Sequence, residues 1–191
     1  MSEFHSHKRI NWPQLLLGVL LGATLSFIAT GIRDHRRESE RMKTAASQVV
    51  SAWDDEVRVN TIALQLKASV ASKLASQPPE DLAERDRLIT QLRSTKLSSF
   101  ALKTMAVHFA SLQALGATGS SLNEAMAQFY RSLERVEKEE ADIFPQLGCE
   151  NSVPNVQTYG SALSTQYTAL EALRRKTNER VDALRPQLRE Q

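Results

Sequence analysis

The sequence predicts an all-α protein, in which an N-terminal transmembrane helix continues into an antiparallel helical bundle of about four to five helices. Three observations lead to this. Ile10 to Ile32 is a run of 23 residues without a charged side chain, set between Lys8-Arg9 and Arg33. Downstream, apolar residues recur three and four apart, which places them on one face of a helix. The 191 residues include only seven Gly and six Pro, so long stretches carry no helix breaker. A composition led by Ala, Leu, Ser, Gln, Glu and Arg favours helix over sheet.

Residues 1–9 read as a disordered tail, in which His5 and His7 lack the further ligands a metal would need. Residues 10–32 read as the membrane span. A bilayer core of ~30 Å needs ~20 apolar residues at ~1.5 Å rise each. Trp12 suits the headgroup layer, and Pro13 falls where a missing N–H costs little. The rival is a signal peptide cleaved after Ala29-Thr30-Gly31. The length of the run and the arginines that follow it favour an uncleaved anchor. Gly18, Gly22, Ser26 and Thr30 are spaced by four and line one helix face, as in membrane helices that pack closely. Glycine is also simply common in such helices. Lys8 and Arg9 on one flank face Arg33, Arg36, Arg37, Arg41 and Lys43 on the other. That imbalance favours a cytoplasmic C-terminal domain. Arg33, Arg36 and Arg37 are also placed to meet lipid headgroups.

The soluble domain is expected over residues 33–191. No Pro or Gly lies between Ile32 and Pro78, so a first long helix should cover about 33–77. Its predicted stripe is Met42, Ala46, Val49, Trp53, Val57, Leu64 and Ala68, with Asn60 on or beside it. A second helix is expected to start at Pro79-Glu80-Asp81 and reach about Ser94, and a third to span Phe100–Leu115 with His108 beside its apolar face. Gly116–Ser120 reads as a turn, and Ser121-Leu122-Asn123-Glu124 as a capping box opening a fourth helix. Leu122, Met126, Phe129, Leu133, Val136, Glu140 and Ile143 then repeat with a period of seven, one position being charged. Pro145 and Gly148 should close it. A last helix is expected from Val156 to Leu184, with Arg174, Arg175, Lys176 and Arg180 on a solvated side and Pro186 as its stop.

No phosphate loop, metalloprotease helix, nucleophile elbow, kinase set or calcium loop is present. The expectation is a protein that is not an enzyme and carries no cofactor or catalytic or metal site. A formal charge of +2 does not single out nucleic acid as a partner. Cys149, the one cysteine, rules out an internal disulfide framework.

Three segments carry a resemblance. They are I-R-D-H-R-R-E-S-E-R after the span, then W-D-D-E-V-R-V-N-T-I-A-L, and later L-N-E-A-M-A-Q-F-Y-R-S-L-E-R-V-E. Over about residues 14–140 the chain resembles a loose group of bacterial single-pass membrane proteins of unknown function. The resemblance implies no activity. It implies a polar contact set between helices made by Glu56, Asn60 and Tyr130. The functional expectation is a membrane-anchored, self-associating interaction or scaffold protein in the bacterial inner membrane, whose partners are the lipid bilayer, further copies of itself and possible protein partners. The alternatives are a sensory bundle that acts through a partner and an envelope-bridging or lysis protein.

Overall fold

The computed structural model describes residues 12–149 and 152–189, with side chains from Ser26 onward except at 28, 29, 148 and 149. The tail over residues 1–9 therefore lies outside the described residues. The described chain is all-α: α1 (Trp12–Ser76), α2 (Leu82–Ser94), α3 (Phe100–Val107), α4 (Phe109–Ala114), α5 (Gly116–Cys149) and α6 (Val153–Arg189). It divides into two units, Met1–Arg41 and Met42–Gln191.

In the first unit, Phe27 and Ile32 are exposed apolar side chains. Among the described residues no helix is long and apolar enough to cross a membrane. The span predicted over residues 10–32 is thus not supported by the fold. Ile10 and Asn11 lie outside the described residues, and the described side chains of the run begin at Ser26, only seven positions before Arg33.

The second unit is a helical bundle, and the direction of each helix can be read from its contacts. Lys73 meets Glu84 and Lys67 meets the Leu92 carbonyl, so α2 runs back along α1. Asn60 meets Ser98 and Glu56 meets Ala101, so α3 continues that return. α4 carries the chain over to α5. Along α5 and α6, Gln146 meets Tyr159, Glu140 meets Tyr167 and Ala125 meets Thr177, which is antiparallel. Consecutive columns therefore alternate, as predicted. α1 and α5 run parallel, because Glu56 meets Tyr130 and Lys67 meets Glu140.

The core centres on Trp53, Phe129 and Tyr130, which pack edge to face with ring centroids 5.1 to 6.1 Å apart. Leu64, Leu74, Leu122, Met126, Leu133, Leu163 and Leu170 belong to the same core cluster, all essentially without exposure. Removing one such side chain to Ala typically costs ~2–5 kcal/mol. Gly160 lets α6 come close to the end of α1: an added Cβ would lie 2.8 Å from the Ala75 backbone nitrogen.

Several boundaries differ from the sequence expectation, each for a local reason. α2 starts at Leu82, because Asp81 is its N-cap and accepts from the Ala83 and Glu84 amides. Leu82, its first residue, is exposed. The third helix is two helices broken at His108, and its Leu102 and Phe109 are partly exposed. The chain leaves α4 through Leu115 and turns into α5 at Gly116, whose φ of +72° favours glycine. The expected turn and capping box consequently lie inside α5, where Glu124 accepts from Gln128 one turn on instead of reaching back. Pro145 and Pro186 sit inside helices because burial of Leu147 and packing of Leu188 hold the following turn in place. Arg174, expected on a solvated face, is buried and clasped by Glu171 through two bonds of 2.7 Å.

Candidate functional site

Two polar layers cross the core, both built between α1 and α5. The first gathers Glu56, Asn60 and Tyr130. Glu56 is fully buried and belongs to no ion pair among the described residues. Its Oε2 accepts the Ala101 N–H at 2.8 Å, and its Oε1 accepts the Tyr130 hydroxyl at 3.0 Å and Asn60 Nδ2 at 3.4 Å. Ala101 is the second residue of α3, and Ser99 at the N-cap makes no side-chain bond. Glu56 thus satisfies, from another helix, one of the free donors that every helix start leaves. Asn60 binds the break before α3 at both ends, donating to the Ser98 carbonyl at 2.8 Å and accepting its N–H at 2.7 Å.

Burial pushes the Glu56 carboxyl up from 4.5 to about 7, with the Ala101 amide and then the Tyr130 hydroxyl acting against it. The Tyr130 hydroxyl is pushed well above its ordinary range, first by burial and then by the Glu56 charge. A tyrosine hydroxyl can donate or accept, so this layer can hold Glu56 with or without its proton.

The second layer gathers Lys67, Glu140 and Tyr167. Lys67 is 1% exposed. Its Nζ donates to Glu140 Oε1 at 2.7 Å and to the Leu92 carbonyl at 3.1 Å, and Tyr167 donates to the same Glu140 oxygen at 2.7 Å. The ammonium also lies 5.3 Å from the Tyr167 ring and 5.8 Å from the Phe144 ring, within reach of cation–π attraction. Burial lowers the Lys67 pKa and Glu140 opposes it, while burial and then Glu140 raise that of Tyr167.

Three clefts open beside these layers. One of about 590 Å³ lies between α3 and α5 with Tyr130 in its wall. One of about 600 Å³ lies between α1 and α3, and a smaller one of about 230 Å³ adjoins Glu140. Among the described residues no group of His, Cys, Asp and Glu could hold a metal ion.

Of the residues singled out from sequence, Glu56, Asn60 and Tyr130 are brought together. Ser26 and Thr30 are exposed, joined by a Thr30 hydroxyl bond to the Ser26 carbonyl at 2.8 Å. The surroundings of Gly18 and Gly22 lie outside the described side chains. Arg33, Arg36 and Arg37 are exposed.

Sequence reasoning missed Lys67 and Tyr167 as a polar pair with Glu140. The signal was present in the spacing. Trp53, Glu56, Asn60, Ala63, Lys67, Val70 and Leu74 alternate by three and four and are all buried. Restricting the stripe to apolar residues shifted it onto Val57 and Ala68, which are only half-buried. No family model matches the chain, and neither a curated protein nor a solved structure matches it.

Proposed function

We propose that this chain is a membrane-anchored, non-enzymatic interaction protein that self-associates and presents a helical bundle to partners. The observation that carries the reading is the charge-free run Ile10–Ile32 ahead of an arginine-rich collar. A run of that length is worth keeping only in an apolar environment. The exposure of Phe27 and Ile32 at its end supports the same reading. In the bundle, the named polar groups of both layers are spent on one another and on backbone, a pattern that serves packing specificity better than chemistry. The arginine imbalance favours insertion in a bacterial inner membrane with the bundle in the cytoplasm. The decisive test is alkaline carbonate extraction of membranes carrying the full chain, paired with a C-terminal topology reporter. Release into the carbonate supernatant defeats the anchor. Crosslinking in membranes that yields monomers alone defeats self-association, and an unchanged dimer yield in Gly18→Leu/Gly22→Leu defeats the small-residue face as its seat.

A second reading is a sensory bundle that binds a small ligand and signals through a partner. The half-open cleft of about 590 Å³ between α3 and α5 favours it, since its volume lies within the ~300–1,000 Å³ of ligand pockets.

A further inference from the structure

We propose that the cleft between α3 and α5 takes a small amphipathic cation, an apolar body carrying one ammonium group. The inference rests on the ligand-binding reading and names its ligand class. Leu102, Met105, Ala127 and Leu133 line the cleft with apolar surface. Methionine adapts its shape readily, which suits a wall that must close on a small body. The wall on the α3 side is a helix of eight residues, with a break on each flank and its start held by Glu56 through Ala101.

The polar lining is unequal. Glu134 and Glu137 stand three apart on α5 and so share a face. Neither belongs to an ion pair among the described residues. Arg131 shares the rim, but its Nε donates to the Ala127 carbonyl at 3.2 Å. The charged lining is therefore net negative by one. The Tyr130 hydroxyl is already donated to Glu56, so the cleft offers a ligand acceptors in excess of donors. An anion meets repulsion there, and a neutral body gains only apolar burial. A cation gains both burial and a carboxylate partner.

The test uses the full chain in zwitterionic nanodiscs with ¹³C-methyl methionine. Met105 is one of four methionines, and its resonance is assigned by Met105→Leu. Benzylamine, benzyl alcohol and benzoate are titrated as a cationic, neutral and anionic set of one shape. Benzylamine is expected to shift the Met105 methyl saturably and to bind at least tenfold tighter than the other two. Glu134→Gln/Glu137→Gln should lose about tenfold for benzylamine and leave benzyl alcohol unchanged. Both substitutions are at exposed positions, and the thermal transition of the variant is measured alongside. Equal binding of all three probes, or an unaltered benzylamine affinity in the double variant, overturns the charge assignment and leaves the ligand-binding reading standing. No saturable shift with any probe overturns both.

Discussion

The two polar layers sit three helical turns apart on α1, about 16 Å by helix rise, and they solve the same problem differently. Each places an ionisable side chain of α1 in the core opposite a residue of α5. At Lys67 the charge is met by an opposite charge, and two aromatic rings close around it. At Glu56 the charge meets only neutral donors, one of them the start of another helix. The Lys67 ammonium is held by a carboxylate and a backbone carbonyl and ties α1 to α5 and α2. An uncompensated carboxylate is held so weakly in its charged form that its proton equilibrium moves toward neutral pH. The same fold therefore carries one joint made by an ion pair and one made by a lone carboxylate whose proton equilibrium lies near neutral pH.

The largest effect is expected from breaking the compensated layer. Lys67→Ala leaves Glu140 without its cation and opens a void, and should lower unfolding free energy by about 3–5 kcal/mol in chemical denaturation. If Lys67→Ala proves milder than Glu56→Ala, the ranking of the two layers is wrong. Glu56→Ala orphans the Ala101 amide, the Tyr130 hydroxyl and one Asn60 donor, and should cost about 2–3 kcal/mol. Hydrogen exchange should then quicken at the start of α3 before it does elsewhere in the bundle.

The third prediction separates the layers by pH. Because folding raises the Glu56 pKa from 4.5 to about 7, the unfolded chain gives up its proton first as pH rises. Stability contributed by this group is complete below about pH 4.5 and is lost progressively up to about pH 7, beyond which it is flat. The swing should be on the order of 3 kcal/mol. Glu56→Gln keeps the shape and removes the proton, so a Tm profile of this variant over pH 4.5–7 should lose the slope. A slope that survives in Glu56→Gln assigns the pH dependence to another group. The smallest effect is expected from Tyr130→Phe, at about 1 kcal/mol, since Glu56 keeps its bond to Ala101.

Much of the fold was legible in sequence, and the reasons for the remainder are specific. The apolar period along Leu122–Ile143 marked the face of α5 that is buried, because hydrophobic spacing and helix geometry share one period. The end of α1 was marked by Pro78-Pro79, which no helix interior accepts without cost. The start of α5 was misread, since Ser121 and Glu124 have the letters of a capping box while Gly116 had already made the turn. The site was half legible. Glu56, Asn60 and Tyr130 were approached through resemblance, and nothing local in the sequence says that Glu56 caps α3.

What the sequence determined by itself is the helical class, the charge-free N-terminal run and most of the buried faces. These depend on periodicity and composition, which neighbouring residues carry together. Only the tertiary structure decided that α1 and α5 lie parallel, that Pro145 and Pro186 stay within helices, and that Glu56 and Lys67 are inside. A charge enters a core only when its partners are brought to it. Here the partners on α5 lie 74 and 73 residues further along the chain, beyond the reach of any local pattern.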